Sequence, residues 1–195
     1  MRRSEGFSLI ELLVVCGVVV AIAAMAVPLL RTTVDDVRVA SAARYLAGRL
    51  RLARMEAVKR SLRVGLRIDA PDTGYRFAFY ADGNRNGIRA TDIARGADPR
   101  LTPPERLAER FPGVTFGVVD DVRPIDPGDA VVSGADPIRL GRSDILTFSP
   151  DGTATSGTLY IRGVGRRQFA VRVLGSTGRA RVFQFDNASG EWIVR

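Results

Sequence analysis

From Phe7 to Leu30 the chain runs for about 24 residues with a single charge, Glu11. As a helix that length reaches about 36 Å, enough to cross a hydrocarbon core of about 30 Å. No other segment constrains the fold as strongly, because such a run must be covered by lipid or by neighbouring helices. Arg2 and Arg3 precede it, and the positive-inside rule then keeps the N-terminus cytoplasmic and sends the C-terminal remainder of the chain to the opposite side. A cleaved secretory signal would have a shorter apolar core and a small-residue cleavage site after it, whereas Ala21–Ala26 leads straight into Pro28. Glu11 is the anomaly, since an unpaired carboxylate costs a few kcal/mol in an apolar segment.

The whole chain of 195 residues carries a net charge of +8, and the part beyond this segment suffices for one globular domain. Nearly all the positive charge is arginine, Lys59 being the only lysine, which favours phosphate, carboxylate or anionic lipid partners. With no histidine and a lone cysteine, Cys16, inside the apolar run, an intrachain disulfide and Cys/His zinc sites are excluded. No nucleophile and base stand at a recognisable spacing, so an enzyme is not expected.

The stretch Gly6-Phe7-Ser8-Leu9-Ile10-Glu11-Leu12-Leu13-Val14-Val15 resembles the N-terminal signal of type IV pilins and type II secretion pseudopilins. The resemblance implies that residues 1–6 are a leader, cut after Gly6 by a prepilin peptidase that also N-methylates Phe7. It implies that 7–30 form a transmembrane and filament-core helix, and that Glu11 pairs with the N-terminal amine of a neighbouring subunit. A buried ion pair of this kind selects register more than it adds stability. In this family a subunit at the filament tip often lacks the glutamate, so its presence implies a subunit with another above or below it.

From Arg31 to Arg60 the residues Val39, Ala43, Leu46, Leu50, Ala53 and Ala57 recur at steps of four and three, one stripe of a helix, with Arg38, Arg44, Arg49, Arg51 and Arg54 largely off it. The spacing predicts a helix whose apolar stripe a sheet covers; a basic helix lying on a membrane surface is the competing reading. Pro28 is expected to kink or loosen the helix at the membrane exit.

After Arg60 the period becomes two. Leu62, Val64, Leu66 and Ile68 alternate with Arg63, Gly65 and Arg67, and a turn at APDTG leads to a partner strand at 75–81. Further strands are expected at 114–119, 144–148, 158–163, 168–174, 178–185 and 191–194, with loops over 85–142 and a short helix at PPERLAER. The fold class is thus α+β: a long N-terminal helix, amphipathic over 31–60, packed on antiparallel sheets within a β-rich domain over 61–195. The order FSPDGTATSGTLYIRG, strand, LGSTGRARVF is similar to the GspH/FimT branch of pseudopilins. That resemblance implies a helix on two antiparallel sheets, and either a minor pseudopilin that begins or caps a secretion pseudopilus or a FimT-like minor pilin that binds DNA for uptake or aids pilus assembly.

Two local patterns are candidate binding sites. In ADGNRNGIRATDI, Asp82, Asn84 and Asn86 occupy the first, third and fifth places of an EF-hand-like loop, but Asp92 falls one place short of the bidentate acid. The same residues suit an Asx and glycine turn, so the loop holds either Ca²⁺ or a hairpin cap. Apart from Ca²⁺ no cofactor is expected. The second pattern is the basic set Arg162, Arg166, Arg167, Arg172, Arg179 and Arg181, in which Arg179 and Arg181 share a strand face. Gly178-Arg179-Ala180-Arg181 matches the Gly-Arg-x-Arg element that resembles the DNA-contacting tail of FimT-like pilins. A solvated face, or a docking surface for acidic partners in a filament, is the alternative. The partners implied are other pilin or pseudopilin subunits, the prepilin peptidase and N-methyltransferase, the inner membrane and, for a FimT-like subunit, DNA; the domain is expected in the periplasm.

Overall fold

The computed structural model describes residues 8–72, 74–120, 122–125, 136–140 and 144–195, and the side chains of 25–32 lie outside the description. The helix α1 (Leu9–Arg60) is continuous over 52 residues, about 78 Å. It stops at Ser61, whose left-handed φ of 51° turns its N–H back onto the carbonyls of Ala57 and Val58. The expected kink at Pro28 falls where side chains are not described.

Two antiparallel sheets follow. The smaller has the order β2-β1-β5, from β1 (Val64–Asp69), β2 (Arg76–Ala81) and β5 (Ile145–Phe148). The larger runs β3-β6-β7-β8-β9, from β3 (Thr115–Phe116), β6 (Gly157–Arg162), β7 (Gln168–Leu174), β8 (Arg179–Asp186) and β9 (Glu191–Val194), with β4 (Ile138–Arg139) also paired to β6. The C-terminal half of α1 covers both sheets. Val39, Ala43, Leu46, Leu50, Ala53 and Ala57 are buried, and Ala42 and Ala47 join them. They meet Val64, Leu66, Leu146, Leu159, Val171, Val173, Ala180 and Val182 in one core. The arginines off the stripe remain exposed or half-buried, so the helix lies on sheet and not on a free surface.

Polar contacts fix the register of helix against sheet. The Asp35 carboxylate accepts the N–H groups of Val164 and Gly165 at 3.2 and 2.9 Å. On the other side of the stripe, Arg49 pairs with Glu105 at 2.6 Å and Tyr45 donates to the same carboxylate. A cation on the expected basic set, Arg167, is bound to Asp36 at 2.7 Å, which removes it from that set.

Two expectations need correction. The strand read over 114–119 pairs only at Thr115–Phe116. Beyond it the chain is held by the buried amide of Gln168, whose Oε1 accepts the Val119 N–H at 2.7 Å and whose Nε2 donates to the Gly117 carbonyl at 3.1 Å. A side chain therefore takes over from the ladder. Within 85–142, besides α3 (Leu107–Arg110) inside the anticipated helical stretch, the chain forms an unanticipated helix α2 (Ala90–Arg95). It also lays 99–105 along β2, exchanging two bonds of 2.9 Å between Phe77 and Glu105. That stretch has no period because it covers a sheet edge without itself being a regular strand.

Candidate functional site

The first site is the bare end of α1. Among the described residues every side chain from Ser8 to Ala24 is exposed, with Leu9 at 83% and Ile22 at 63%. The same helix is fully buried from Val39 on its sheet-facing stripe, so one element presents two environments. Glu11 lies exposed in the first turn, where the helix dipole favours a negative charge. Cys16 is exposed on the same segment. Among the described residues no helix is long and apolar enough to cross a membrane, the side chains of 25–32 lying outside the description. Gly6 and Phe7, the expected processing residues, lie outside the described residues.

The second site is the loop that links β2 to α2. Asp82 is 2% exposed, and its Oδ2 accepts the Gly87 N–H at 2.9 Å. Asn84 Oδ1 accepts the Asn86 N–H at 3.2 Å, the Asx turn that the sequence offered as one alternative, and both asparagines are exposed. Asp92 is buried near the start of α2. Sequence reading missed Asp98, which is 1% exposed and binds the N–H groups of Gly83 and Arg89, both at 3.2 Å. Its one signal was a third aspartate in a stretch otherwise without period. The loop closes tightly, since a Cβ on Gly83 would lie 2.1 Å from the Ala97 carbonyl oxygen.

The third site is a groove of about 480 Å³ lined by Arg51, Arg54, Met55 and Gly178–Arg181. Because β9 pairs only with Phe183–Asp186, the beginning of β8 has an open edge, and α1 borders it. Arg179 and Arg181 are exposed, while Ala180 between them is buried. Arg172 stands directly across from Arg181 on β7. Arg51 and Arg54 come from α1, and their convergence with the strand arginines was not legible from spacing. Arg54 also donates from Nε to the Gly152 carbonyl at 2.9 Å, which ties α1 to the turn between β5 and β6. Arg162 and Arg166 are exposed elsewhere on the surface.

A sheet-packed helix whose side chains from Ser8 to Ala24 stand uncovered is the arrangement of a pilin-like subunit. The family model for the type II transport protein GspH matches residues 42–178, and the prokaryotic N-terminal methylation motif matches residues 1–27. The chain belongs to the GspH family of type II transport proteins. Among solved structures it is similar to that of the minor pseudopilin EpsH from the type 2 secretion system of Vibrio cholerae, at 19% identity and a TM-score of 0.47, covering 75% of this chain and 97% of that one. A second crystal structure of EpsH matches at 17% identity and a TM-score of 0.43, covering 82% of this chain and 94% of that one. No curated protein matches the chain.

Proposed function

We propose that the protein works as a minor pseudopilin, a structural subunit of the type II secretion pseudopilus and not an enzyme. It is made as a single-pass inner-membrane precursor with a cytoplasmic N-terminus and a periplasmic domain. Prepilin peptidase cuts between Gly6 and Phe7, and Phe7 is N-methylated. The observation that carries this reading is the uncovered apolar surface from Leu9 to Ala24 on a helix whose stripe its own sheets bury from Val39 onward. In membrane it faces lipid; in a filament, the equivalent helices of other subunits cover it. Glu11 then meets the amine of a neighbour's Phe7, so its charge is compensated on assembly. Mass spectrometry of the protein from its own membranes tests the processing: the expected N-terminus is methylated Phe7, and an intact leader overturns it. Removing the gene should block export of folded cargo, and normal export would overturn the secretion role.

The arginine groove favours a second reading, in which a FimT-like subunit contacts DNA. Arg51, Arg54, Arg179 and Arg181 line one open groove where the phosphates of a duplex can reach them. Binding to phosphates alone weakens steeply with salt and ignores base sequence. Titrating a labelled duplex across a salt series separates the readings: steep salt dependence, lost in Arg179→Ala/Arg181→Ala, supports DNA contact, and no binding at low salt overturns it.

A further inference from the structure

We propose that the turn between β6 and β7, residues 163–167, rests on the membrane surface before assembly, with Val164 dipping into the lipid interface and Arg166 reaching lipid phosphates. The proposal depends on the reading of residues 7–30 as the membrane anchor. Val164 is 83% exposed, as bare as Leu9 at the start of α1. Outside α1 it is the most exposed large apolar side chain among the described residues. Arg166, two residues on, is exposed as well.

The turn is fixed at the height where α1 leaves its apolar run. Asp35, whose carboxylate accepts the N–H groups of Val164 and Gly165, lies five residues past Leu30, about 7.5 Å along the helix axis. The headgroup layer on each side of a bilayer is about 5–7 Å deep. With the run spanning the hydrocarbon, Val164 therefore stands at the outer level of the headgroups. The turn also descends toward that level along α1: a Cβ on Gly163 would touch Val39 as well as Asp35, whereas the N–H groups of the next two residues go to Asp35. Arg167 paired with Asp36 at 2.7 Å, and Asn187 donating to the Arg166 carbonyl at 3.4 Å, add further attachments.

The chemistry of the turn suits a phospholipid surface. An apolar side chain settles at the boundary of headgroup and acyl chain, while a neighbouring guanidinium keeps its charge among the phosphates. The carboxylates nearby, which would repel anionic headgroups, are engaged within the domain. Asp35 accepts the two N–H groups of the turn, Asp36 holds Arg167, and Asp186 accepts from Ala188 and Ser189 of its own turn. Lipid is also what the uncovered segment from Leu9 to Ala24 faces on the same helix, so the contact continues the anchor's own surface. It holds the domain at one rotation about α1 while the subunit waits in the membrane, and entry into a filament breaks it.

The test uses the full chain in vesicles of phosphatidylcholine, with and without phosphatidylglycerol. In a Cys16→Ser background, Val164→Cys carries the single thiol for an environment-sensitive fluorophore. Two references bracket it: the native Cys16 on the apolar run, and Asp151→Cys, exposed beside the Gly152 that Arg54 holds far along α1. The probe at 164 is expected to emit at shorter wavelength than the probe at 151 and to be quenched by lipids spin-labelled near the headgroup. Quenching should rise with phosphatidylglycerol, and Arg166→Gln should abolish that rise; a rise that survives it overturns the phosphate contact. Emission at 164 as red and as unquenched as at 151 overturns the proposal, while a lipid-quenched probe at Cys16 in the same vesicles leaves the anchor reading standing. A probe at Cys16 that remains in water overturns the anchor reading and this contact with it. A shift at 164 that appears only at high protein density marks a neighbouring copy as the occupant and also overturns the proposal.

Discussion

Arg167 reaches from the turn between β6 and β7 to Asp36 on α1, closing a 2.7 Å ion pair beside the N–H bonds that the same turn gives to Asp35. The pair is partly exposed and worth at most about 1 kcal/mol. The Asp35 bonds matter more for position: a Cβ on Gly163 would lie 2.5 Å from both Asp35 Oδ1 and Val39, so turn and helix are in close contact. Asp35→Ala should destabilise the domain by about 1–2 kcal/mol, the cost of leaving two N–H groups without that acceptor. Urea unfolding of the full chain measures it, and an unchanged midpoint would show that water replaces the carboxylate.

Gln168 should be sensitive out of proportion to its size. Its amide nitrogen donates to the carbonyls of Gly117, Ile161 and Phe169, and its oxygen holds Val119. Gln168→Leu keeps the volume but leaves buried carbonyls and an N–H unpaired, which costs about 1–3 kcal/mol for each group that finds no other partner. Hydrogen exchange should report the loss locally, through faster exchange of the Val119 amide.

Gly178→Ala should disturb the arginine groove without removing an arginine. Gly178 has φ of 59°, and a Cβ there would meet the Gly152 carbonyl oxygen at 2.3 Å. The strain should cost about 1–3 kcal/mol and release Arg54 from that carbonyl. If the groove binds DNA, affinity falls in this variant although every charge is present. Equal stability of the two proteins in urea would refute the steric argument.

Burial lifts the Tyr45 hydroxyl above its ordinary 10.0, and the hydrogen bond and the negative charge of Glu105 raise it further, against Arg110 and Arg49. The folded state therefore holds this proton more tightly than the unfolded chain. Its contribution is full below pH 10.0 and is lost as pH rises through the higher folded pKa. Urea midpoints above pH 10.0 should fall more steeply for the wild type than for Tyr45→Phe, which has no hydroxyl to titrate. Parallel slopes would remove Tyr45 from the alkaline transition.

Glu11→Gln should leave membrane insertion and leader cleavage intact while lowering incorporation into filaments, because the amide cannot compensate a neighbour's amine. Pelleting of filaments from sheared cells, blotted for this subunit, measures the fraction assembled. Wild-type incorporation would show that Glu11 carries no assembly role.

The sequence alone determined the parts whose side-chain period carries the information. Apolar steps of three and four exposed the stripe Val39–Ala57, and alternation exposed β1, because burial on one face leaves a regular trace in one dimension. The N-terminal motif placed the chain near its family for the same local reason. Tertiary structure decided what depends on residues far apart in sequence: Gln168 ending β3, the 99–105 segment covering β2, Asp98 folding under the Asp82 turn, and Arg51 and Arg54 meeting Arg179 and Arg181. Each is a contact between a side chain or edge and a distant partner, with no repeat to announce it, so only the closed chain brings the two together.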